Sequence, residues 1–158
     1  MSRLCGALLW TLFLLGTLLC TRREEARRLA EYGALCRLVT HLRDGISDTP
    51  RPLAQLYADF RDTLLSDIGF LDVLQRDGLH SALQSGRLHL EKEALAPLIA
   101  YSEAQGERLW EGEKQALCEL LLQMCPKYEA RRADAPRRMR LFATLFFSGG
   151  MLLLLLLL

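Results

Sequence analysis

Alternation of apolar and polar residues long enough to make a half-buried strand is missing from this 158-residue chain, which excludes a sheet fold. Also missing are a glycine-rich phosphate loop, a nucleophile elbow and an HExxH pattern. The three histidines, His41, His80 and His89, are scattered, with no partner at triad or ligand spacing, so each is expected to be solvated or satisfied by packing. Asp44, Asp48, Asp72 and Asp77 stand around turns, where aspartate hydrogen-bonds its own backbone. The five cysteines form no CxxC pair and have no histidine beside them, which argues against a metal site. Cys36, Cys118 and Cys125 read as small apolar residues of a reducing compartment, and Cys5 and Cys20 lie in or at the edge of an apolar run. Net charge is nearly absent: 20 Lys and Arg oppose 19 Asp and Glu, for a formal +1. With no aromatic-rich basic stripe, nucleic-acid binding is not expected. An enzyme, a cofactor and a small-molecule substrate are not expected either, because no acid, base or metal constellation is present.

What the chain does have is leucine without charge. Leu4 to Thr21 (LCGALLWTLFLLGTLLCT) and Leu141 to Leu158 (LFATLFFSGGMLLLLLLL) are each 18 residues with no charged side chain. A helix of that length spans roughly 27 Å, close to the thickness of a bilayer core. A buried helix of a soluble domain would carry a polar stripe, whereas the second run offers leucine on every face, so both runs are read as membrane helices. A secretory signal peptide is the rival reading of the first. No small-x-small cleavage site precedes the charges, and RREEARR follows at once, which favours a retained span.

Basic residues beside a membrane helix stay on the cytoplasmic side. Arg22, Arg23, Arg27 and Arg28 follow the first run, and Lys127, Arg131, Arg132, Arg137, Arg138 and Arg140 precede the second. Both clusters flank the same middle segment, so they hold the topology and attract anionic lipid headgroups. The expected organisation is a short tail over 1–3, a span over 4–21, a cytoplasmic domain over 22–140 and a span over 141–158. Length and apolar content suit one small domain.

The middle segment reads as helices throughout. Leu29, Tyr32, Cys36, Val39, Leu42 and Ile46 recur at intervals of three and four, with Glu24, Arg28 and Glu31 expected on solvated faces. Gly45 and SDTPRP are expected to stop this helix. Pro52 suits the first turn of a helix with Leu53, Leu56, Tyr57, Phe60 and Leu64 on one face, ending near Gly69. Two short helices around Phe70–Leu74 and Leu79–Leu83 are expected either side of Asp77-Gly78. A clearer helix follows, with Glu91 and Glu93 at its positive end, Pro97 inside it and Gly106 as its stop. The last runs from about Glu111, with Ala116, Leu117, Leu120, Leu121, Met124 and Tyr128 as its stripe, and Pro126 is expected to kink or break it. The fold class is therefore all-α, a helical domain between N-terminal and C-terminal transmembrane helices.

In this order of parts the chain resembles the stage III sporulation protein AB family of endospore-forming bacteria. The likeness lies in an N-terminal span, a following helix, a turn carrying Gly45, Thr49, Pro50 and Leu53, the segment PLIAYSEAQGERLWEGEKQALCELLLQM, and a glycine- and leucine-rich ending. Two extra residues between Thr49-Pro50 and Leu53, the prolines Pro126 and Pro136, and the polyleucine depart from the family pattern. The resemblance implies a domain similar to the platform protein of type II secretion and type IV pilus machines, non-enzymatic, in the mother-cell membrane around the forespore. Its implied partners are membrane lipid, a secretion-type ATPase and other membrane subunits of a channel-like complex. Gly45, Thr49, Pro50 and Leu53, with Glu103, Gly106, Glu107, Arg108 and Trp110, are the positions that match best and the expected partner-binding residues. The other reading is a generic two-span scaffold or regulator that presents a helical protein-binding domain.

Overall fold

The structure is a computed structural model that describes residues 2–48, 51–106 and 108–157, and the side-chain surroundings of 12–13, 15–46, 51–106 and 108–151. Every element among the described residues is a helix: α1 (Ser2–Asp48), α2 (Leu53–Asp59), α3 (Thr63–Asp67), α4 (Phe70–Gln84), α5 (Lys92–Glu103) and α6 (Trp110–Leu157). The all-α expectation is met. The chain divides into a body, Arg28–Glu129, and a second unit made of Met1–Arg27 and Ala130–Leu158.

In the body, α1 is the hub. Its predicted stripe is buried at Tyr32, Cys36, Val39, Leu42 and Ile46, and so are Ala34, Leu35 and Leu38, because neighbours cover this helix on more than one side. Each fully buried leucine contributes about 1.5–3 kcal/mol of transfer free energy. Leu56, Leu65, Phe70, Leu74, Leu79, Leu98, Leu117 and Met124 complete the core. Glu31 is not solvated as expected but fully buried. Its carboxylate accepts from the His89 backbone N–H at 2.7 Å and lies 3.0 Å from His89 Nδ1, so it clasps the α4–α5 connection to α1. Burying a carboxylate is tolerated only with such partners.

The helix boundaries compare with expectation at three places. First, α1 runs through Gly45 and stops at Asp48, within SDTPRP as expected, and Gly45 permits a close approach, because a Cβ there would strike Leu56 Cδ2. Second, the single helix expected from Leu53 towards Gly69 is split, with Phe60 extended (φ −69°, ψ 134°). The Arg61 guanidinium donates to the Ala58 and Phe60 carbonyls, while Asp62 accepts from the Leu65 N–H at 3.2 Å and opens α3 as its N-cap. Asp62 also pairs with Arg37 of α1 at 2.6 Å. Third, α6 is not ended by Pro126 or Pro136. The carbonyls that lose a donor there belong to Leu122 and Arg132, which are exposed, so water can satisfy them. The break at Asp77-Gly78 is as expected: Gly78 takes φ 85°, ψ 177° inside α4.

In the second unit, Leu12, Phe13, Leu15, Leu19, Leu141, Phe142, Leu145, Phe147 and Met151 are all exposed. The hydroxyls among them turn inward: Thr17 donates to Phe13 O, Thr21 to Thr17 O, Thr144 to Arg140 O and Ser148 to Leu145 O. Among the described residues no helix is long and apolar enough to cross a membrane. Both 18-residue runs extend into residues 4–11, 14 and 152–158, whose side chains lie outside the description, and Leu158 lies outside it altogether.

Candidate docking surface

The sequence between α5 and α6, AQGERLW, cannot continue α5. Ala104 caps it through a bond from its N–H to Ala100 O, and Gly106 takes φ 89°, a left-handed angle open to glycine at little cost. Two large apolar residues then emerge where a core would have been expected to claim them. Leu109 is 88 % exposed and Trp110, the first residue of α6, is 37 % exposed, with Arg108 exposed beside them.

Buried polar pairs fasten this junction from below. The Tyr101 hydroxyl of α5 donates to Glu113 Oε1 of α6 at 2.5 Å, across the turn. Burial and the adjacent Glu113 push the Tyr101 phenol well above its ordinary range. Glu113 is itself buried, and its Oε2 has no hydrogen-bond partner among the described residues. On the other side the Gln105 amide donates to the Tyr57 hydroxyl of α2, and burial pushes the Tyr57 phenol up to about 12. These bonds tie Gln105 to α2 and the start of α6 to α5, and Leu109 and Trp110 stand exposed beside them.

Of the residues singled out in the sequence, Leu53 begins α2, half-buried against the core, one turn before Tyr57, which accepts from Gln105, the residue before Gly106. Glu103 is exposed at the end of α5. Gly45 faces Leu56 and the interior of the body, while Thr49, Pro50 and Glu107 lie outside the described residues. Arg22, Arg23 and Arg27 of α1 and Arg131, Arg132, Arg137, Arg138 and Arg140 of α6 are exposed, whereas Arg28 pairs with Glu91 at 3.5 Å. Sequence reasoning missed Tyr57, Tyr101, Gln105 and Glu113 as supports, because their pairings cross turns and have no helical spacing. Leu109 was legible, as a large apolar residue next to Trp110 among glutamates.

The histidines are engaged. His41 Nε2 lies 3.3 Å from Leu56 O, and its ring packs on Phe60 with centroids 5.4 Å apart. His80 Nδ1 is 3.1 Å from Ser102 Oγ, a Ser–His pair that invites a catalytic reading. The bonding runs the other way, however. Ser102 gives its proton to Ile99 O at 2.7 Å, and Gln84 Nε2 approaches His80 Nε2 at 2.8 Å as a donor, which leaves the His80 proton on Nδ1, aimed at the serine. A histidine that donates to the hydroxyl does not activate it as a nucleophile. Among the described residues no group of three or more His, Cys, Asp and Glu is placed to hold a metal ion.

Compared with protein-family models, curated proteins and solved structures, the chain matches none.

Proposed function

We propose that this chain is a non-enzymatic membrane platform subunit whose helical body faces the cytoplasm and docks a partner protein through the α5–α6 junction. The single observation that carries this is the exposed Arg108–Leu109–Trp110 triplet at the start of α6. Tryptophan and arginine are among the residue types that most often dominate binding energy, and a large apolar pair left in water favours burial by a partner. The two uncharged runs and the arginines beside them support membrane anchoring at both ends, and the inward-turned hydroxyls suit an apolar surround.

The finer reading rests on the family resemblance: the partner is a secretion-type ATPase, and the complex is a sporulation-specific channel assembly in the mother-cell membrane around the forespore. The test is binding of that ATPase from the same organism to the full chain in lipid nanodiscs. Saturable binding weakened at least tenfold by Trp110→Ala, with helicity unchanged, is expected. A well-folded chain that ignores the ATPase would remove the sporulation assignment and leave the generic two-span scaffold.

A further inference from the structure

A second feature of the body lies along the seam between α1 and α6. An open groove of about 500 Å³ runs there, lined by Gly33, Cys36, Arg37 and His41 from α1 and by Cys125 and Tyr128 from α6. The helices approach closely at one end. A Cβ on Gly33 would lie 3.0 Å from the Tyr128 hydroxyl, Tyr32 stacks on Tyr128 with centroids 6.0 Å apart, and the Tyr32 hydroxyl donates to Met124 O at 3.4 Å. Three residues on from Gly33 is Cys36, and three back from Tyr128 is Cys125. Along this antiparallel pair of helices those equal steps bring the two cysteines face to face on the groove wall, Cys36 buried and Cys125 half-buried.

The geometry points to Cys36 and Cys125 as a disulfide-forming pair, a modification site that takes a small-molecule disulfide of the glutathione type as oxidant and fastens α1 to α6. The Cys125 thiolate, reachable from the groove, attacks one sulfur of the small disulfide. A Cys125–S–S–R bond forms, the original S–S bond breaks, and one thiolate leaves and takes up a proton. Cys36 then gives up its proton and attacks the Cys125 sulfur, expelling the second thiolate. Two protein thiols are oxidised and one small disulfide is reduced to two thiols. Burial first, and Cys125 beside it, push the Cys36 thiol up to about 12, which assigns Cys36 the second and slower step. Cys118 lies seven residues before Cys125 on α6, about two helical turns away from it.

The test uses the full chain in nanodiscs, equilibrated with glutathione disulfide, then denatured in excess maleimide and digested. The expected result is a Cys36–Cys125 linked peptide, two fewer maleimide adducts than in the reduced chain, and Cys118 still alkylated. Thermal melting of the oxidised chain is expected to rise by several degrees, to fall back on treatment with dithiothreitol, and to be insensitive to oxidant in Cys125→Ser. Because the peptide map is made on the unsubstituted chain, it does not depend on the folding of any variant. Alkylation of all the cysteines, a glutathione adduct that stays on Cys125, or a bridge through Cys118 instead would overturn the pairing.

Discussion

Glu31, Tyr57 and Gly45 show how single residues carry the body. Removing the Glu31 carboxylate strips two acceptors from His89 and leaves a hole in a fully buried position. Glu31→Ala is therefore expected to destabilise the body by about 2 kcal/mol, and Glu31→Gln by less, read from thermal loss of helicity. Tyr57 links stability to pH. Its phenol is protonated in folded and unfolded chains alike below its ordinary value near 10, so its contribution is intact there. Because the folded value is raised to about 12, stability is lost as pH rises from 10 towards 12, by roughly 2–3 kcal/mol. Denaturation followed across that window should show a shallower decline in Tyr57→Phe than in the unsubstituted chain. Gly45 packs against the interior of the body in the structure. A methyl group there would strike the fully buried Leu56, so Gly45→Ala is expected to cost about 1–3 kcal/mol in melting experiments.

At the scale of elements, the break between α2 and α3 depends on Asp62, which caps α3 and holds Arg37 of α1. Asp62→Ala is expected to lower stability by about 1–2 kcal/mol, with Asn restoring the cap but not the ion pair, so a partial recovery in melting temperature is the outcome to look for. That break also marks what local pattern reveals. The apolar spacing of Leu53, Leu56, Tyr57, Phe60 and Leu64 is helical, and all but Phe60 lie in helices, though in two rather than one. The interruption comes from a side chain competing for backbone groups and from an arginine 25 residues away, neither of which periodicity records. The α4 break was legible because Asp77-Gly78 announces it locally. The persistence of α6 through Pro126 was not, because it depends in part on the exposure of the Leu122 carbonyl to water, which the local pattern does not record. At the candidate docking surface Gly106, Arg108 and Trp110 are expectations from the family resemblance, while the Tyr101–Glu113 and Gln105–Tyr57 pairings are visible only in the tertiary structure.

For the whole molecule, charge is segregated to a degree that the net value hides. The body holds 11 Lys and Arg against 16 Asp and Glu, and the remaining unit holds 9 against 3. If basic residues set the orientation, changing Arg22, Arg23, Arg131, Arg132, Arg137 and Arg138 together to Gln should yield a mixture of orientations in cells. Protease protection of the body on intact and opened vesicles would reveal it, and unchanged orientation would show that the arginines do not determine topology. The buried hub also governs when the body is finished during synthesis. Tyr32, near its start, finds its hydrogen-bond acceptor at Met124, 92 residues later. Contacts so far apart in sequence close late, after the intervening chain has been ordered. The ribosome must therefore deliver nearly the whole body before α1 gains its last covering, and the second uncharged run follows soon afterwards. Until then the apolar faces of α1 lack their last covering, so the first-made helix of the body is the last to be fully enclosed.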